Sequence, residues 1–232
     1  MLTRAACFLS ALIFSQLSFS QAFFQGFDLV VTNPAAAVAA LNKYQESPTG
    51  EANDSNTFLY RYLANGSREA THLVVVVYPS ANVMEETLAL NGSSPDWLQF
   101  AEEMSAVAEI ENEIIGQFIA TGGDPANVTS PGRAGVIYEM TVSDPVTYLN
   151  AFNELSAANP DVMTVSYLSA LLANGENPST HNAVSWFNSP SELLMNQPQT
   201  YNGWGTFLEK ISDVRTIEST AMVQMVTSWV SD

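Results

Sequence analysis

Along residues 23–120 the apolar positions switch between strand-like runs and a three- to four-residue step, and the same succession recurs over residues 134–232. Residues 27–32 and 136–143 have the character of strands. Asn33-Pro34 and Asp144-Pro145 follow them, each a capping side chain with proline at the first helical position, and predict helices over 35–44 and 146–155. Aromatic and aliphatic runs at 58–63 and 165–172 lead through Asn65-Gly66 and Asn174-Gly175 into 72–78 and 181–187, so each pair predicts a hairpin with a longish loop. Trp97, Phe100, Met104 and Val107 keep helical spacing, as do Trp204, Phe207, Ile211 and Val214, predicting helices over 96–108 and 204–214. Strands at 114–120 and 221–227 close the two units.

The recurrence extends to residue identity. The stretch from Phe27 to Pro34 matches that from Tyr138 to Pro145 at an offset of 111, and Thr71-His72 returns as Thr180-His181 at 109. Trp97, Phe100, Glu102, Ser105 and Val107 return at 107 as Trp204, Phe207, Glu209, Ser212 and Val214. The offset changes only between elements, where short deletions cost little. The chain is therefore a tandem duplication: a first βαββαβ repeat over 23–120, a linker over 121–133 and a second βαββαβ repeat over 134–232. That order is the split β-α-β, ferredoxin-like unit, which leaves one sheet face bare. A second copy is the obvious cover. The expected fold is α+β, two ferredoxin-like units packed sheet to sheet about a pseudo-twofold axis as a pseudo-dimeric α/β barrel. This arrangement resembles the dimeric α/β-barrel superfamily, which includes antibiotic-biosynthesis-monooxygenase-like and stress-responsive barrel proteins. The resemblance covers nearly all of residues 23–232 but lies in element order, so it implies a barrel and carries no catalytic residue across.

Composition narrows the partners. Twenty-four acids against seven bases give 232 residues a formal charge of −17. Such a polyanion is a poor match for nucleic acid or an anionic membrane. The acids are spread, 13 in residues 23–120 and 11 in residues 121–232, which suits a solvated coat. Residues 1–22 read as a secretory signal, with Arg4 ahead of a mostly apolar stretch and small residues permitting cleavage after Ser20 or Ala22. The expected location is secreted or periplasmic, with no membrane span once the signal is removed. Cys7, the one cysteine, lies inside that signal, so the remainder has no thiol chemistry. A monomer or a weak homo-oligomer suffices if the second copy covers the sheet.

Candidate chemistry is sparse. His72 and His181 are equivalents, as are Asp28 and Glu139. With the first and third strands read as parallel, Asp28–His72 and Glu139–His181 become carboxylate–imidazole pairs facing the barrel interior, candidates for acid–base work. The competing reading is that Thr-His merely ties down the hairpin loop. Tyr60, Tyr62, Gln117, Tyr167, Trp186 and Gln224 suggest an aromatic, partly polar cavity for a small hydrophobic or aromatic ligand. Zinc, phosphate-loop and serine-hydrolase signatures are missing, and Glu102-Glu103 with Glu109, Glu111 and Glu113 reads as a solvated face. The residues demand no cofactor, although a neutral histidine is an acceptable axial ligand for haem. The expected function is an exported small-molecule-binding barrel, with cofactor-independent oxidation as its chemical form. The alternative is a non-enzymatic envelope or extracellular interaction protein.

Overall fold

The computed structural model describes residues 22–162 and 164–231, so Cys7 and all but the last residue of the leader-like segment lie outside the described residues. The first repeat runs β1 (Phe23–Val31), α1 (Pro34–Gln45), α2 (Pro48–Glu51), β2 (Asn56–Ala64), β3 (His72–Tyr78), α3 (Ala81–Gly92), α4 (Pro95–Ser105) and β4 (Ala108–Gly123). The second runs β5 (Ala134–Val142), α5 (Pro145–Ala158), β6 (Val165–Ala173), β7 (His181–Phe187), α6 (Pro190–Met195), α7 (Trp204–Ile211) and β8 (Arg215–Trp229). Asn33 and Asp144 cap α1 and α5 as their sequence implies, accepting from the amides of Ala36 and Thr147 at 3.2 and 3.1 Å. Helices α2, α3 and α6 are additions to the expected order.

Each repeat forms an antiparallel sheet, β4-β1-β3-β2 and β8-β5-β7-β6. The two sheets close on each other as the expected barrel. They join along their edges, β2 to β8 and β4 to β6, into one closed eight-stranded barrel. This explains the length of β4 and β8, at 16 and 15 residues. The early part of each pairs within its own repeat and the later part crosses to the other. Closure removes every free sheet edge.

Alternation along the strands sends one set of side chains outward under the helices. Leu29, Val31, Leu59 and Val74 pack with Ala37 and Leu41 of α1. Met140, Val142 and Leu168 pack with Tyr148 and Phe152 of α5 and Phe207 and Ile211 of α7. Trp97 and Trp204 are packing residues in this layer, 5.4 Å from the ring of Tyr44 and 5.2 Å from that of Phe207. The other set of strand side chains faces the barrel interior.

Candidate functional site

An eight-stranded barrel is wide enough for its side chains to fill or for one small ligand to occupy. Here the interior holds a cavity of about 1060 Å³, at the upper end of the range of small-molecule sites. Its wall is mainly apolar. Phe58, Tyr60 and Tyr62 project into it from β2, Phe24 from β1, Phe118 from β4, Tyr167 from β6 and Trp186 from β7. The rings lean on one another around the wall, with Tyr60–Trp186 at 5.0 Å and Phe118–Tyr167 at 5.2 Å. Close approach is possible where the strand is bare: a Cβ on Gly135 would stand 2.8 Å from the Trp186 ring.

A cluster of charged groups marks one end. Asp28 and Glu139 both reach the wall, and Arg68, on the β2–β3 loop, bridges them. Its Nη1 lies 3.3 Å from Asp28 Oδ2 and its Nη2 donates to Glu139 Oε2. Tyr62 donates its hydroxyl proton to Asp28 Oδ1. Glu139 Oε2 also accepts from Ser219 Oγ at 2.6 Å and from Asn177 Nδ2 at 3.0 Å. Burial pushes the Asp28 carboxyl above its ordinary range, against the opposing pull of Tyr62 and Arg68. Burial would weaken the Arg68 guanidinium, but Glu139 and Asp28 beside it more than reverse that and raise its pKa. Burial also raises the Tyr62 phenol, with the Asp28 charge adding to it, so that hydroxyl stays a donor.

The histidines are not part of this end. Strands β1 and β3 are antiparallel, not parallel, and their register sets His72 opposite Leu29 and Leu73 opposite Asp28. His72 therefore shares the outward parity of Leu29, while Asp28 points inward; neither expected carboxylate–imidazole pair forms. His181 likewise stands opposite Met140, and Glu139 opposite Asn182. Each imidazole instead meets its neighbouring threonine, Nδ1 to Oγ1 at 2.9 Å for His72 and 2.8 Å for His181. Those threonines hold the hairpin exit: Val31 N donates to Thr71 Oγ1 and Val142 N to Thr180 Oγ1, both at 3.0 Å. The loop-tying role is the one the geometry supports. Burial lowers both imidazole pKa values, and nearby Arg61 adds to the effect at His72.

Of the expected wall residues, Tyr60, Tyr62, Tyr167, Trp186 and Gln117 line the cavity. Gln224 does not: it lies outside the barrel, accepting from Arg61 Nε at 3.0 Å and donating to the Gly132 carbonyl at 3.2 Å. Sequence reasoning missed Arg68, Ser169 and Asn182. A signal existed, because Arg68 aligns with Asn177 at the same offset as the Thr-His pairs. A haem centred in this cavity would need an axial side chain on its wall, and both histidines face the helices, so the residues present do not fit histidine-ligated haem.

No protein-family model and no curated protein sequence matches the chain. Solved structures do match its fold. A proposed monooxygenase from Fusobacterium nucleatum aligns at 10% identity and a TM-score of 0.63, covering 90% of this chain and 94% of its own. An anthrone oxidase-like protein aligns at 11% and 0.56, covering 90% and 93%. A haem-bound protein from Rhodococcus jostii aligns at 12% and 0.51, covering 90% and 94%. The chain has the dimeric α/β-barrel fold, built from two ferredoxin-like units in tandem.

Proposed function

We propose that the barrel is an exported receptor for one small apolar or aromatic molecule, with oxidation of that molecule as the chemistry its interior suits. The observation that carries this reading is the interior cavity of about 1060 Å³, with an aromatic wall and a bridged pair of carboxylates at one end. Apolar burial supplies affinity, and the few polar groups orient the bound molecule. Support for export is the leader-like pattern of residues 1–22. A non-enzymatic interaction module would have no need of an unfilled interior, since protein cores are otherwise close-packed.

Asp28 is the residue best suited to chemistry. Its raised pKa brings proton exchange closer to neutral pH, and Asp28 lines the cavity. In the oxidative reading Asp28 takes a proton from an acidic C–H or O–H of the substrate, the deprotonated substrate gives two electrons and a second proton to dioxygen, and Asp28 returns the first proton so that hydrogen peroxide leaves. The likeness of fold to a proposed monooxygenase and to an anthrone oxidase-like protein agrees with that reading without fixing a substrate.

Calorimetric titration with 2-naphthalenemethanol tests the binding half. Saturable one-to-one binding is expected, lost in Val184→Trp, which fills the cavity from β7 while circular dichroism stays native. Binding that survives in Val184→Trp would move the site elsewhere.

A further inference from the structure

The charges on the cavity wall are of one sign. Asp28 and Glu139 at one end and Asp124 at the opposite end belong to the wall, and among the described residues no lysine, arginine or histidine does. Arg68 neutralises only part of this, and it does so from the loop, off the wall itself. An anion entering the cavity would leave water to sit against carboxylates with no cation facing it, which the low-dielectric interior penalises.

The wall also holds polar side chains without partners. Ser169 and Asn182 are 1% and 6% exposed, line the cavity, and make no side-chain hydrogen bond to protein among the described residues. They are in register: Glu139 stands opposite Asn182 across β5 and β7, and Asn182 opposite Ser169 across β7 and β6. Such neighbours lie about 5 Å apart on one sheet face. The row offers a carboxylate, which only accepts, and an amide and a hydroxyl, each of which can accept as well as donate. In the first repeat the equivalent row is Asp28, Leu73 and Tyr60, with an apolar leucine where the second repeat has the Asn182 amide.

We infer that the ligand is a cation, an apolar or aromatic body carrying a protonated amine that docks on the Glu139–Asn182–Ser169 row. An ammonium has three donors and no acceptor, and every member of the row can accept while Glu139 can only accept. Its charge is met by the carboxylates and by the faces of the surrounding rings. The overall charge of −17 draws such a ligand toward the protein and repels anions. This inference names the ligand class of the site proposed above and rests on that reading.

Three probes of one shape separate the two claims: 2-naphthylmethylammonium, 2-naphthalenemethanol and 2-naphthoate, each titrated into the full chain at pH 7. The ammonium is expected to bind at least tenfold tighter than the naphthoate, with the alcohol between them. Asn182→Leu, which copies the first repeat, is expected to weaken the ammonium several-fold while the alcohol changes less than twofold. Asp124→Asn, which keeps a capping side chain at the mouth, serves as a variant that leaves the fold intact and is expected to narrow the preference. Equal binding of all three probes, or tighter binding of naphthoate, would overturn the inference and leave the ligand-receptor reading standing. Failure of every probe to bind would remove that reading, and the inference with it.

Discussion

The two repeats have kept their outer halves alike and let their inner halves diverge. Outside, Thr71-His72 and Thr180-His181 make the same contacts within 0.1 Å, the amides of Val31 and Val142 donating to the two threonines at 3.0 Å. Asn33-Pro34 and Asp144-Pro145 open equivalent helices. Inside, Leu73 and Tyr60 of the first repeat correspond to Asn182 and Ser169 of the second. Arg68 corresponds to Asn177, and yet the two meet at one carboxylate, Glu139. A closed barrel constrains its outer face twice over, through helix packing and strand pairing. Its interior answers only to what it encloses, so divergence there marks the region released to function.

The comparison is easiest to break at Arg68. Removing it leaves Asp28 and Glu139 buried together without a cation, a loss of about 3–5 kcal/mol by the usual cost of orphaning a buried charge. Arg68→Met should therefore lower the urea midpoint strongly, whereas Asn177→Ala, at the equivalent position, should cost about 1 kcal/mol. Similar losses from the two would mean that Arg68 is an ordinary loop residue.

The threonine ties sharpen the other side of the comparison. Thr71→Val and Thr180→Val each remove an acceptor for a strand amide and should cost about 1 kcal/mol, equally in the two repeats. Neither should alter binding of 2-naphthalenemethanol, because both residues lie outside the barrel. A binding defect in either would place the Thr-His pairs in the site after all.

The smallest effect is a pH dependence. Burial holds His72 and His181 below the ordinary imidazole pKa of about 6.5, so the unfolded chain binds protons more readily than the folded one. Their contribution is fully present above about pH 6.5 and is lost as pH falls toward the folded values. Melting temperature should drop between about pH 7 and 5.5, and His72→Asn with His181→Asn should flatten that slope. An unchanged slope in the double variant would assign the titration to other groups.

Much of this architecture is legible in the sequence. The duplication, the capped helices at 33–34 and 144–145 and the hairpin strands at 72–78 and 181–187 stand on local patterns that the barrel has no reason to override. Helices α3 and α6 escaped notice for lack of an apolar stripe, although Ser189, which accepts from the Glu192 amide, and Glu192, whose carboxylate accepts from the Asn188 amide, mark the start of α6. The site was half legible. Strand alternation puts Asp28 and Glu139 inside, but pairing them with the histidines required strand direction, which periodicity does not contain. Arg68 sits in a loop whose path only the closed barrel defines.

Whether the interior is the ligand site is tested most directly by amide and indole chemical-shift mapping during titration with 2-naphthylmethylammonium. The shifts should concentrate at Val75, Val184, Asn182 and the Trp186 indole, leaving the outward-facing Val76, His72 and His181 nearly still. Shifts confined to the helix layer or spread over the acidic exterior would contradict an interior receptor.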